Sequence, residues 1–431
     1  MDALLSTAVA LLAGLLMTRL FKKTGFGFPD VTAFLIAGVL IGPFALGRLG
    51  IKGIGFPTFE AIEEVSILSS TALGFIAFDI GNEFRLSQLK ATGKQATVIG
   101  VAQAVFTSML VDAALIGLHF VLGPDVLPLP VAVTLGAIAA ATAPAATLMV
   151  VRQFKAKGPV TDLLLPIVAL DDAVGLVIFA VSFGVAQALE GGSVNAWSII
   201  VNPLLEIVCS LLLGAFMGFV MTKLEPLFLS NTNRLSLTIG FVCMTIALSA
   251  VEIPLGPAKI GFSSLLVCMM LGTVFCNLSP YSVDIMQRSG KWVSPLYAVF
   301  FVLSGAELDL RVFRYPSVLL IGVVYILVRC VGKYFGAGIS SRAVGCSDVV
   351  VKYLGITLFP QAGVALGMVV TATEGFANRP DLASMIRNII LFSVLIYELF
   401  GPMLTKWALT QAGEIEAVPA EKTTRERFEH R

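Results

Sequence analysis

The chain has 431 residues, 57% hydrophobic and only 13% charged, with a mean hydropathy of +0.91. Soluble domains carry about 25% charged residues, so this composition is that of an integral membrane protein and excludes a cytosolic enzyme. The net charge of +1 argues against a nucleic-acid surface, and two histidines, His119 and His430, are too few for a histidine-rich metal or proton-relay site.

A bilayer span needs about 20 mostly apolar residues. Long apolar runs broken by Gly, Pro or charge predict thirteen spans, at 3–20, 29–47, 61–82, 95–122, 129–151, 160–188, 197–222, 235–252, 259–277, 293–308, 316–341, 350–373 and 384–409. The expected fold is therefore an all-α integral membrane protein. Asp2 precedes the first span and Arg19, Lys22 and Lys23 follow it, the reverse of a cleavable signal peptide, so that segment is expected to stay. None of the six cysteines forms a CxxC pair, which fits small buried hydrophobes. The charged segment 410–431 reads as a short solvated tail.

Loops after odd-numbered spans hold about twice the Lys and Arg of the others, which places the N-terminus outside and the C-terminus in the cytoplasm. A faint repeat adds to this. Phe78 to Leu86, ending span 3, parallels Val302 to Leu310, ending span 10, and Thr142-Ala143-Pro144 in span 5 corresponds to Phe359-Pro360-Gln361 in span 12. Seven spans separate each pair, so the copies insert in opposite orientations. One transmembrane domain, 1–409, is expected, built of repeat one (about 1–190), a linker helix (about 197–222) and repeat two (about 232–409), as in secondary transporters.

Ionisable groups inside the spans cost about 2.5–3.5 kcal/mol each on insertion scales, so they mark function. Span 6 places Asp171 and Asp172 side by side with apolar residues on both flanks. Consecutive helical residues lie about 100° apart, so one carboxylate can face a water-filled cavity and the other a neighbouring helix. Such a pair can exchange protons and, when ionised, bind a cation. In span 11, Arg329 and Lys333 share one helix face four residues apart, and repel unless acids lie opposite. Either is a charge partner for the aspartates, and lysine, unlike arginine, can lose its proton when buried.

Pro144 and Pro360 sit mid-span at matching repeat positions, which reads as two broken helices crossing at the midplane. Gln361 follows Pro360 in the second break; freed carbonyls, amide ends and the Thr142 hydroxyl would supply oxygen ligands and partial charges there, suited to a hard cation such as Na+. Asp171, Asp172 and Thr142 are the expected cation ligands. Among the other acids, Glu83 and Glu307 end spans and cap or pair, Asp112 and Glu398 are expected to pair across the core, Asp79 to line a funnel, and Glu206 opens the linker span.

These residues resemble those of the monovalent cation:proton antiporters, in particular the bacterial Na+/H+ exchangers of the two-aspartate, electrogenic branch. The marks are Leu40-Ile41-Gly42-Pro43, Thr142-Ala143-Pro144, Asp171-Asp172, Gly332-Lys333 and Tyr397-Glu398 with Gly401-Pro402. The resemblance implies that Asp172 binds cation or proton, that Asp171 pairs with Lys333, and that a homodimer carries the site across by an elevator-like movement between a dimerisation domain and a mobile core. Arg329, one turn before Lys333, departs from the pattern and leaves two cations competing for Asp171. Function is expected to be exchange of Na+ or Li+ for H+ across the cell (inner or plasma) membrane, with the bilayer as surroundings and no cofactor. The alternatives are K+/H+ exchange on the same fold, an intramembrane aspartyl protease and an ion-sensing channel. The protease would need its two acids on separate helices.

Overall fold

The computed structural model describes residues 2–23, 28–51, 53–81, 84–190, 196–251, 253–255, 258–308 and 316–415. Every expected interval holds helix: α1 (Asp2–Lys23), α2 (Asp30–Ile41), α3 (Phe59–Glu63) with α4 (Ser66–Gly81), α5 (Leu86–Leu122), α6 (Leu129–Ile138) with α7 (Pro144–Gln153), α8 (Pro159–Leu189), α9 (Ala196–Leu224), α10 (Asn231–Ser249), α11 (Ser264–Leu278), α12 (Ser282–Ala306), α13 (Pro316–Ala343), α14 (Asp348–Thr357) with α15 (Gly363–Gly375), and α16 (Pro380–Gln411). One short hairpin, β1 (Ile253–Leu255) against β2 (Ala258–Ile260), interrupts the helices. Among the described residues, seven helical runs are long and apolar enough to cross a bilayer unaided. The protein is a multi-pass membrane protein.

Several helices overrun their expected edges. α5 begins at Leu86 rather than 95, and α12 at Ser282 rather than 293. The charges that mark the edge of an apolar run, Lys90, Lys94, Arg288 and Lys291, are good helix formers once outside the hydrocarbon, so the helix outlasts the apolar stretch. The tail also departs from a purely solvated segment. Glu414 is buried, and its carboxylate accepts hydrogen bonds from Val160 N at 2.6 Å, Thr161 N at 2.8 Å and Thr161 Oγ1 at 2.6 Å in the first turn of α8. Gly158, at φ +154°, leaves room for it: a Cβ there would lie 2.5 Å from Glu414 Cγ.

The interior falls into two apolar clusters. One gathers Phe34, Phe75 and Phe275 from α2, α4 and α11, and the other Leu115, Leu135, Tyr325 and Ile386 from α5, α6, α13 and α16. Glycine contacts in the first cluster recur as mirror pairs. A Cβ on Gly38 of α2 would lie 2.0 Å from Val302 O, and one on Gly305 of α12 would lie 2.1 Å from Leu35 O. A Cβ on Gly272 of α11 would lie 2.2 Å from Phe78 O, and one on Gly81 of α4 would lie 2.2 Å from Met269 O. Phe78 and Gly81 are the residues that the faint sequence repeat aligns with Val302 and Gly305. A reciprocal backbone-on-backbone glycine crossing thus occurs twice, α12 on α2 and α4 on α11.

Candidate functional site

Two helix breaks build the site. Pro144 opens α7, and a proline disfavours helical backbone in the residue before it; Ala143 is accordingly extended, at φ −85° and ψ 107°. Pro360, which has no N–H to donate, lies in the matching gap between α14 and α15. The gaps touch, since Ala143 N donates to Pro360 O at 2.8 Å. Gln361 Nε2 donates to Ile138 O at 2.9 Å and also meets the Tyr325 hydroxyl at 3.1 Å.

A helix C-terminus leaves carbonyls without intrahelical partners and carries the negative end of the dipole. At the end of α6, side chains from α13 meet them in turn. Arg329 donates to Ala139 O at 2.9 Å and Ala141 O at 2.6 Å, and reaches Phe359 O beyond α14 at 2.7 Å. Its guanidinium also lies 4.6 Å from the Tyr397 ring centroid. Lys333 Nζ donates to Ala140 O at 2.6 Å. Arg329 therefore staples both broken helices.

Lys333 is the cation that meets the aspartate. Its Nζ lies 3.1 Å from Asp171 Oδ2 and 2.9 Å from Thr142 Oγ1, and the Thr142 hydroxyl donates to the same Oδ2 at 2.6 Å. Both charged side chains are 0% exposed. Asp171 Oδ1 accepts from Gln103 Nε2 on α5. Close helix contact makes this possible: a Cβ on Gly332 would lie 3.0 Å from Thr107 Cα and one on Gly336 3.1 Å from Gln103 Cα. Asp172 follows on the same helix, α8, with its backbone alone among the described atoms.

The remaining acids distribute differently from expectation. Asp112 does not pair with Glu398: a Cβ on Gly136 of α6 would lie 1.8 Å from its Oδ1, and that oxygen accepts no hydrogen bond among the described residues. Buried Glu398 instead lies within electrostatic reach of Glu307, the C-cap of α12. Asp79 lines no funnel. It is 1% exposed, ion-paired to Arg152 of α7 at 2.7 Å, and accepts from the Tyr297 hydroxyl of α12. Glu83 lies outside the described residues. Sequence reasoning missed Gln103 and the Arg152–Tyr297 pair; an uncharged amide in mid-span was the available signal for the first.

The family model for "Sodium/hydrogen exchanger, transmembrane" matches residues 7–407. The chain belongs to the sodium/hydrogen exchanger family. Its class of activity is accordingly cation/proton antiport, and it is a transporter rather than an enzyme. Among curated relatives it is 24% identical over 388 residues to the high-affinity Na(+)/H(+) antiporter NhaS3 of Synechocystis sp., covering 80% of each chain. It is 23% identical over 410 residues to K(+) efflux antiporter 1, chloroplastic, of Arabidopsis thaliana, covering 90% of this chain but only 31% of that relative's length. Among solved structures, the electron-microscopy map of the sodium proton antiporter MjNhaP1 from Methanocaldococcus jannaschii superposes with a TM-score of 0.69 at 20% identity, over 95% of this chain and 98% of that one. That likeness is one of fold.

Proposed function

We propose that the chain exchanges Na+, or Li+, for protons by alternating access at Asp171 and Asp172. The observation that carries this reading is the fully buried Lys333–Asp171–Thr142 cluster at the contact of two broken helices. A buried lysine–carboxylate pair can be opened by a cation that takes the carboxylate, and the released lysine can shed its proton, so cation entry and proton exit are linked. Asp172 is the second acid of the two-aspartate, electrogenic scheme, and Thr142 offers an oxygen ligand.

The glycine-mediated crossings of α2–α12 and α4–α11 support two inverted repeats, about 1–190 and 232–409, around a linker at about 197–222. The tail follows at 410–431. In this reading a core bearing the breaks moves against the α2, α4, α11 and α12 scaffold, in a homodimer of the cell membrane with its N-terminus outside and its C-terminus in the cytoplasm. K+/H+ exchange is the second reading, favoured by the similarity to K(+) efflux antiporter 1. Flux in proteoliposomes under a defined pH gradient, with Na+, Li+ and K+ in turn, tests both. Saturable exchange of Na+ or Li+ over K+ is expected, and K+ preference would select the second reading.

A further inference from the structure

Gln103 is 0% exposed on α5, and its two amide atoms are treated unequally. Nε2 donates twice, to Gly100 O at 3.0 Å and to Asp171 Oδ1. Oε1 is buried and accepts nothing among the described residues. The amide orientation follows from chemistry, because an ionised carboxylate only accepts, so the donor must face it. The tight approach of Gly332 and Gly336 on α13 fixes the backbone of α5 at this level.

The surrounding acceptors are served. Asp171 Oδ2 receives Thr142 and Lys333, and the carbonyls of residues 138–141 and 359 receive Gln361, Arg329 and Lys333. Among the described residues here, the Gln103 oxygen beside the carboxylate is left over. A buried acceptor without a partner costs about 1–3 kcal/mol, and one amide away from a transported ion's carboxylate that cost has a use.

We propose that Gln103 Oε1 is a ligand of the transported cation and sets cation affinity and selectivity at this site. The proposal rests on the antiport reading above. A carboxylate binds a proton and a cation alike, so carboxylates alone cannot tell the two substrates apart. A neutral amide oxygen ligates a hard cation but takes no proton near neutral pH. Gln103 therefore adds affinity to one substrate and none to the other.

The test is Gln103→Leu in proteoliposomes, with cation KM measured for Na+, Li+ and K+ from acid to alkaline pH. Loss of the Nε2 donor alone would favour protonated Asp171 and raise KM only where protons compete, a difference that vanishes at alkaline pH. Loss of a ligand persists there. The expected result is an alkaline-limit KM raised about tenfold, corresponding to about 1.4 kcal/mol, with a changed Na+:Li+:K+ ratio. Should Gln103→Leu fail to give monodisperse protein, Gln103→Asn, which keeps the amide but withdraws it by one methylene, is read the same way. An alkaline-limit KM equal to wild type, or an equal loss for all three cations, overturns the proposal. If wild-type protein itself exchanges no cation, the antiport reading fails instead, and the two failures are told apart by that control.

Discussion

Asp171 and Asp79 are both buried carboxylates held by one cation and one hydroxyl, yet they are built for different purposes. Asp171 is held by Lys333 and Thr142 with its other oxygen engaged by Gln103. Asp79 is held by Arg152 and Tyr297, and its Oδ1 accepts no hydrogen bond among the described residues. The decisive difference is the cation. Lysine can give up its proton in a buried site and arginine cannot, so the first pair can be opened by exchange, whereas the second is a fixed charge tying α7 to α4 and α12.

The largest effect should separate the two carboxylates outright. Asp171→Asn leaves Lys333 buried without its counter-charge, a loss of about 3–5 kcal/mol, and exchange should fall by at least about a hundredfold, the loss expected of about 2.8 kcal/mol in transition-state binding. Asp172→Asn should abolish exchange while the protein stays folded, because an amide can neither release a proton nor neutralise a cation. Asp79→Asn should slow exchange less than about tenfold and leave cation KM unmoved, since Asn can still accept from Arg152 and Tyr297. Flux assays beside thermal melts check all three. Equal losses at residues 79 and 171 would erase the distinction.

A smaller effect should separate the two cations of α13. Lys333→Gln should reduce the response of exchange to an imposed membrane potential, in which one net charge per cycle across 100 mV is worth about 2.3 kcal/mol. Arg329→Gln should leave that response intact and lower stability, because the carbonyls of Ala139, Ala141 and Phe359 lose their donor, at about 1–3 kcal/mol for each one left unmet. If Arg329→Gln removed the voltage response and Lys333→Gln did not, their roles would be exchanged.

Competition gives a third, graded contrast. Protons and cation share the Asp171 and Asp172 carboxylates in the proposed mechanism, so the cation KM should drop as pH rises and protons leave, and exchange should fall at acid pH. Asp79→Asn should reproduce that slope, because Asp79 faces Arg152 rather than the cation. A KM independent of pH in the wild type would place proton and cation on separate groups.

The pieces of this site were unequally legible in the sequence. Charge is expensive in a bilayer, so Asp171, Asp172, Arg329 and Lys333 stood out from their apolar surroundings, and two mid-span prolines marked the helix breaks. Which cation met Asp171 was not readable, because residues four apart share a face and a direction; only the positions of the α6 carbonyls decide it. Gln103 was harder to read for the opposite reason, as a neutral amide carries no charge penalty and only its mid-span position among apolar residues marks it. The helix edges failed where charged helix formers continue past the hydrocarbon, as at the start of α5.

Glu414 extends the comparison to a buried carboxylate that no cation meets among the described residues, held by the first turn of α8. One oxygen serves Val160 N, and the other serves Thr161 N and its hydroxyl. A glutamine can turn its oxygen to only one of these sides, so Glu414→Gln leaves at least one backbone donor facing an NH2 group. That loss is about 1–3 kcal/mol, and removing a negative charge from a helix N-terminus adds about 0.3–1 kcal/mol. α8 carries Asp171 and Asp172, but the cap at Val160 and Thr161 lies ten or more residues before them, and the described partners of Asp171 are Gln103, Thr142 and Lys333. Glu414→Gln should therefore lower thermal stability while exchange rate, cation KM and voltage response stay within about twofold of wild type, a margin of about 0.4 kcal/mol. A displaced pH–rate profile at unchanged stability would show instead that the tail's grip on α8 reports to the transport site, and Glu414 would then belong with Asp171 rather than with Asp79.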